Sequence, residues 1–266
     1  MLTLVPTPIG NLEDITLRAL RVLREADVIA CEDTRTSGIL LRHYGIDRPL
    51  TSFHLHNEND KLPALLDRLR RGENVAVISD AGTPGLSDPG WILLKRALDE
   101  GLDVDVLPGA NAVVPAVLLS GLSPQPFVFL GFPPEKSSER DKMIKSLADS
   151  PFTLCFYLSP HKAAKQISDF LQLLGDRNAA LVREISKVFQ ESIRGTLSEI
   201  LGRVNDGVKG ELVLVIDGCR EGVNDSWRAE AEERFRNGES VRDIVNSLAE
   251  KYGVAKNMAK RFVLGL

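Results

Sequence analysis

Residues 76–91 read AVISDAGTPGLSDPGW. β-preferring apolar residues run up to Ile78. Positions 80–90 then hold three glycines, two prolines and two aspartates before a new apolar segment starts at Trp91. That pattern predicts a strand end, a loop and a helix start. Gly82 and Gly85 allow positive φ and a close approach of backbone to a ligand, while Pro84 and Pro89 hold the turn in shape. Asp80 and Asp88 supply carboxylates that accept hydrogen bonds from ribose hydroxyls or an ammonium group. A tight turn with two capping aspartates is the plainer account, and the loop alone does not separate the two.

Reading outward, β-like runs alternate with helical ones. LTLVPTP at the amino end, DVIACED near residue 30, NVAVISD near 77 and DVDVLPG near 106 have strand length and end in turn or polar clusters. TLRALRVLREA, KLPALLDRLRRG and WILLKRALDEG carry apolar residues at helical spacing, with Gly72 and Gly101 placed as helix stops. This βαβ rhythm predicts a mainly parallel sheet. In such sheets ligands sit outside the carboxyl ends of the strands. Three further loops fall at corresponding positions: PTPIGN (6–11), PGANA (108–112) and YLSPHK (157–162). After SGLSPQPF (120–127) the rhythm resumes with FVFLGF, FTLCFYL, AALVREI and ELVLVID. Beyond Asn224 the pattern changes to three short helices separated by glycines, with Ser240 and Asp243 spaced as a capping box. The expected fold class is α/β: units at 1–119 and 120–223 with a ligand cleft between them, and a helical appendage at 224–266.

With 266 residues, 43% hydrophobic and 26% charged, the chain has ordinary globular proportions. No window approaches eighteen apolar residues and the amino terminus lacks a signal pattern, so a cytoplasmic protein without a membrane partner is expected. Cys31, Cys155 and Cys219 are odd in number and widely spaced in apolar stretches, which predicts buried free thiols rather than disulfides or metal ligands. A net charge of −4 confines any nucleic-acid contact to a local patch. Neither G-x-G-x-x-G after the first strand nor a Walker-type phosphate loop occurs, and Pro89 breaks the hydrolase elbow at Ser87. His161 reads as a helix-start or surface residue or as a catalytic one.

Six blocks in one order carry a resemblance: TPIGNLEDITLRALRVLREADVIACEDTR, SDAGTPGLSDPG, LPGANAVVPAVLLSGL, YLSPHK, REISKVFQESIRGTLSEI and KGELVLVI. Together they resemble the ribosomal RNA small-subunit methyltransferase I family, whose fold is that of the tetrapyrrole methylases. The resemblance implies S-adenosylmethionine-dependent 2'-O-methylation of a cytidine ribose in 16S ribosomal RNA of the small subunit, by a homodimer that uses no metal. It implies a cofactor in the cleft between two α/β units. It assigns cofactor contact to Asp80, Ala81, Gly82, Thr83, Leu86, Ser87, Ala110, Tyr157 and Leu158, and to the strand start at Lys209, Gly210, Glu211 and Leu212. The chain departs from the family at Leu158, Lys162 and Gln190, where Glu, Arg and Glu are usual. Catalysis by a glutamate at 158 or 190 is therefore excluded.

A ribose 2'-hydroxyl is a poor nucleophile until its proton is being removed, so a general base or a polarising cation is expected. CEDTR (31–35) follows the second strand and FHLHNEND (53–60) the third. The plain reading is solvated turn and cap residues. With the resemblance, Glu32, Asp33, Arg35 and His56 become the catalytic candidates, the base unresolved among them. Arg35 and Lys162 suit phosphates. In the tail, Lys251, Lys256, Lys260 and Arg261 form a basic stretch without acidic side chains, set outward by packing around Leu248, Val254, Met258 and Phe262. It reads either as an RNA-binding surface or as the solvated face of a dimer-supporting helix pair. A small-molecule methyltransferase of the tetrapyrrole type and a non-catalytic nucleotide-binding regulator stay open as other readings.

Overall fold

The computed structural model describes residues 1–219, 226–252 and 256–265. The amino-terminal half contains β1 (Leu2–Leu4), α1 (Leu17–Glu25), β2 (Val28–Cys31), α2 (Thr34–His43), β3 (Leu50–Ser52), α3 (Glu58–Arg70), β4 (Val75–Ile78), α4 (Trp91–Asp99) and β5 (Val104–Val106). Its strands form one sheet in the order β3-β2-β4-β1-β5, every neighbouring pair parallel. The three central strands, β2, β4 and β1, are short and buried on both faces, which is why they read as apolar runs. Val75 and Val77 pack with Leu65, Leu69 and Leu93 of α3 and α4. Ala76 and Ile78 face the other way, towards Ala19 and Leu23 of α1 and Leu41 of α2. The two helix layers thus follow from strict alternation along the strand.

The second half contains α5 (Val113–Ser120), β6 (Phe127–Phe129), α6 (Ser137–Ser146), β7 (Thr153–Leu158), α7 (Ala163–Leu174), β8 (Asn178–Arg183), β9 (Glu191–Thr196), α8 (Leu197–Val204) and β10 (Leu212–Ile216). Its sheet runs β6-β7-β10-β8-β9. Here the expectation of a mainly parallel sheet is corrected: only β6 and β7 are parallel, whereas β7, β10, β8 and β9 pair antiparallel. The reason is connection length. Seven residues separate β8 from β9, too few for a helical crossover, so the chain turns back on itself. α6, α7 and α8 cover one face through Ile144, Phe170 and Ile200. α5 covers the other through Val113, Ala116 and Val117, together with Ile9 from the amino-terminal half. α5 thus packs on the second sheet and leaves Val114 and Leu118 exposed on its outer side.

α9 (Ser226–Arg236), α10 (Val241–Tyr252) and α11 (Lys256–Val263) form a separate core of Trp227, Ala231, Ile244, Val245, Leu248, Ala259 and Val263. Ser240 caps α10 by accepting from the Asp243 N–H at 3.1 Å and donating to its carboxylate at 2.6 Å. Val254 lies outside the described residues, as do the side chains of Met258 and Arg261. Leu248 is fully buried, and Phe262 stacks edge-on against Trp227 with centroids 5.1 Å apart. Cys31 and Cys155 are buried, Cys219 is half-buried, and all three are free. No helix among the described residues is long and apolar enough to cross a membrane. No group of three or more potential metal ligands converges among them.

Candidate active site

The carboxyl ends of β1, β4 and β5 point at the carboxyl end of β7 and the amino end of β10 across a cavity of about 610 Å³. That volume lies within the roughly 300–1,000 Å³ of small-molecule sites. One wall is built from loops of the first sheet. Thr7 and Gly82 exchange both backbone hydrogen bonds at 2.9 Å. The Thr7 hydroxyl donates to the Ser79 carbonyl at 3.1 Å, and the Thr83 hydroxyl donates to the Ala110 carbonyl at 3.1 Å. Gly85 N–H donates to the Pro89 carbonyl at 3.0 Å, closing the tip of the 79–90 loop. Gly82 (φ 82°) and Gly90 (φ 124°) sit where a side chain would be strained, and Ser87 adopts φ 73° at the cavity surface. The loop is thus pinned to its neighbours before any ligand arrives.

Glu32, Asp80 and Asp88 all line this wall. Asp88 is pushed up to about 6, first by burial and then by the charges of Glu32 and Asp80. Burial also raises Glu32, with Asp80 adding to the effect. Asp80 is raised by burial even though its carboxylate accepts the Asp33 N–H at 3.2 Å. Carboxylates that raise one another are a site poised for positive charge.

The opposite wall is mainly apolar and carries Glu211 at its rim. Tyr157, Leu158, Pro160, Ile185 and Val213 line it, with Phe132 beside them. Tyr157 lies 4.8 Å from Phe129 and 5.3 Å from Phe132, centroid to centroid, and burial pushes its hydroxyl up to about 12. Gly210 turns the chain into β10 at φ 93°, where a Cβ would fall 2.5 Å from the Glu184 carboxylate. That carboxylate accepts the Glu211 N–H at 2.9 Å. Across the halves, the Ser186 hydroxyl donates to Asp14, and Gly10 leaves room for the Lys187 stem.

The predicted residues divide clearly. Asp80, Ala81, Gly82, Thr83, Leu86, Ser87, Tyr157, Leu158, Gly210, Glu211, Leu212 and Glu32 line one cavity. Ala110 does not line it; its carbonyl braces the loop through Thr83, and Lys209, expected at the cofactor, lies outside the cavity as well. Asp33 and Arg35 do not line it either. They pair at 2.7 Å, Asp33 caps α2, and the Arg35 hydrogen bonds draw Asp33 down to about 2. A carboxylate so stabilised as the anion is a weak base. His56 is exposed, 6.1 Å ring to ring from His54, and it is His54 whose charge acts on Glu32. Lys162 pairs with Glu135 at 2.5 Å. Lys251 pairs with Glu230 at 2.7 Å, Lys256 donates to Asn246 at 2.9 Å, and Lys260 is exposed. Gln190, the departure in the 183–200 block, accepts the Ser186 N–H at 2.8 Å.

The residues passed over are Asp88 as a reactive carboxylate, and Ile9, Asn111, Ala112, Phe132 and Ile185 as wall. Asp88 was visible in the opening loop. The apolar wall residues gave no signal, because strand-end apolar residues read as core.

The profile of the Tetrapyrrole (Corrin/Porphyrin) Methylases matches residues 1–201. The chain is 45% identical over 220 residues to "Ribosomal RNA small subunit methyltransferase I" of Streptococcus pyogenes, covering 82% of this chain and 77% of that one. It is 39% identical over 262 residues to the protein of the same name from Bacillus subtilis, covering 98% and 88%. Among solved structures it resembles the methyltransferase CobJ with a TM-score of 0.63 at 19% identity, covering 82% of this chain and 94% of that one, a likeness of fold alone. The chain belongs to the tetrapyrrole methylase family and, within it, to the ribosomal RNA small subunit methyltransferase I family.

Proposed function

We propose that the chain is an S-adenosylmethionine-dependent methyltransferase that methylates the 2'-oxygen of a cytidine ribose in 16S ribosomal RNA. The observation that carries this reading is the two-walled cavity, with three carboxylates facing an apolar and aromatic surface. When bound, S-adenosylmethionine supplies a methyl group on a positively charged sulfur. The cavity fits such a molecule in volume and in charge. Asp80 and the backbone of Ala81, Gly82 and Thr83 hold its hydroxyl or ammonium groups, and Tyr157, Leu158 and Leu212 cover its flat apolar part. Gly210 and Glu211 close the rim.

Asp88 takes the proton from the ribose hydroxyl. It lines the cavity, and at about 6 its basicity matches a neutral working pH better than that of Asp33, held near 2. Glu32 sustains that basicity by its charge. Neither Asp33 nor Arg35 is assigned the proton. Their pair fixes the start of α2, and Asp33 N–H orients Asp80.

Three units divide the work in this reading: 1–119 and 120–223 around the cleft, with α5 tying them, and 224–266 as the appendage. Lys260 is one of its exposed cations, and Arg261 belongs to the same stretch of sequence. The substrate is the small-subunit RNA, and the working form is a homodimer. Exposed Val114 and Leu118 on α5, and Val188 and Phe189 before β9, offer an apolar surface for a second copy. Arg194 of β9 donates to the Leu119 carbonyl at 2.9 Å, which joins these elements.

The test is transfer of labelled methyl from S-adenosylmethionine, offered in parallel to small ribosomal subunits lacking the modification and to a tetrapyrrole acceptor. Label in RNA alone supports the reading, and label in the tetrapyrrole alone overturns it. Sedimentation of the free protein as a monomer at micromolar concentration would remove the dimer from it.

A further inference from the structure

A second concave site lies at the same end of the second sheet, on the face covered by α8. It has a volume of about 380 Å³ and is lined by Arg183, Glu191, Ile193, Arg203, Val208 and Lys209, among others. Its single carboxylate is already matched: Arg183 Nε donates to Glu191 at 2.8 Å, and Arg183 Nη1 to the Lys209 carbonyl at 3.0 Å. Arg203, in the last turn of α8, and Lys209 are exposed, and neither has an acidic partner among the described residues. The cations near the cleft are occupied: Arg35 by Asp33, Lys162 by Glu135, and Lys187 by Glu184 and Glu211.

Three cations against one carboxylate leave the site positive on a protein of net charge −4. The partial negative charge at the end of α8 offsets about half a unit of that. Ile193, Val204 and Val208 form an apolar floor beneath the cations. Lys209 and Gly210 are consecutive, the first lining this site and the second lining the methyl-donor cavity.

We propose that the pocket formed by Arg183, Arg203 and Lys209 binds backbone phosphate of the RNA substrate, anchoring the strand beside the cavity that receives the target ribose. This rests on the RNA reading given above. The site carries no sequence information; it sets register and orientation, as phosphate contacts do. Arg183 is the fixed member, held by Glu191 and the Lys209 carbonyl. Arg203 and Lys209 are the two free to close on a phosphate.

The test is the double variant Arg203→Glu, Lys209→Glu, with Arg203→Lys, Lys209→Arg as the conservative control. Both positions are exposed, so the fold is expected to persist, and unchanged affinity for S-adenosylmethionine by calorimetry verifies it. With small ribosomal subunits as acceptor, the charge-reversed variant should raise KM at least tenfold with kcat within about twofold of wild type. Its RNA affinity should fall less steeply with salt, the slope of log affinity against log salt shrinking by about 1 to 2. The conservative variant should behave as wild type. Unchanged KM and salt slope in the reversed variant overturn the inference. If wild type binds RNA but transfers no methyl, the same loss of RNA binding in the variant still supports the pocket while the methyl-transfer reading falls.

Discussion

The two walls of the cavity solve the same problem in opposite ways. The first-sheet wall is loop: glycines at positive φ, prolines and three carboxylates, held by hydrogen bonds such as Thr7 to Ser79 and Thr83 to Ala110. The second-sheet wall is mostly strand end and aromatic packing, with Tyr157 against Phe129 and Phe132. A polar ligand group must find donors and charges at defined points, which loops with fixed backbone supply. A flat apolar group needs only shape, which a sheet edge supplies. The division teaches that affinity on one side should depend on hydrogen bonds and charge, and on the other on steric room.

The largest effect is expected where steric room is least. Gly210→Val places a side chain at φ 93° and within 2.5 Å of the Glu184 carboxylate. Strain of about 1 to 3 kcal/mol plus the lost Glu184 bond to Glu211 N–H should weaken S-adenosylmethionine binding more than a hundredfold. Calorimetry giving near wild-type affinity would mean the rim does not touch the ligand. Next comes Asp80→Ala, which removes a carboxylate facing the cavity and the brace to Asp33 N–H. A loss of about 1.5 to 3 kcal/mol in cofactor binding is expected, and a change in turnover alone would place Asp80 elsewhere in the cycle.

A smaller effect, of opposite sign, is expected at Asp88. Its folded value of about 6 exceeds the ordinary 3.8, so its contribution to stability is fully present below about pH 3.8 and is lost as pH rises through 6. At pH 7.5 the unliganded protein therefore carries a cost, and Asp88→Asn should stabilise it by about 1 kcal/mol after solvent screening. The gain should vanish below pH 4 in thermal melts. The wild-type rate should fall below about pH 6 as Asp88 takes up its proton, and the variant should lose turnover while keeping cofactor affinity. An acidic limb unchanged in the variant would assign the proton to Glu32. The smallest effect is expected at Cys31, buried in the first core with its thiol 3.7 Å from the Thr51 carbonyl. Cys31→Ser should leave turnover within about twofold, since burial raises this thiol and a thiolate nucleophile is not available. A hundredfold loss in a folded variant would point to carbon methylation.

The contrast between the walls also explains what was legible in the sequence. The 79–90 loop announced itself as a turn because glycine, proline and aspartate cluster where backbone must turn, and the loops at corresponding positions, 6–11, 108–112 and 157–162, tipped it towards a ligand. The parallel sheet was legible in the βαβ rhythm, apolar strand runs such as Val75–Ile78 alternating with helical segments. The antiparallel half was not, because a buried strand reads the same in either direction and only the short β8–β9 connection betrays it. Among site residues, Asp33 and Arg35 looked reactive by type, yet their partner lay two positions away in the same segment, where the pair satisfies itself. Glu32 and Asp88 differ by pairing with no Lys or Arg among the described residues, and that depends on how the β2 and β4 loops meet. Phe132 and Ile185 gave no signal, since an apolar side chain beside a strand reads as core until the facing wall is known.

The central claim is that an activated ribose hydroxyl receives the methyl group. Its most direct test is nucleoside mass spectrometry on small-subunit RNA treated with the protein and S-adenosylmethionine, digested with nucleases and fragmented to separate base from sugar. A single methylated cytidine is expected, with the added mass on the ribose fragment, at a position that resists alkaline cleavage on its 3' side. A methyl group on the base fragment would contradict it.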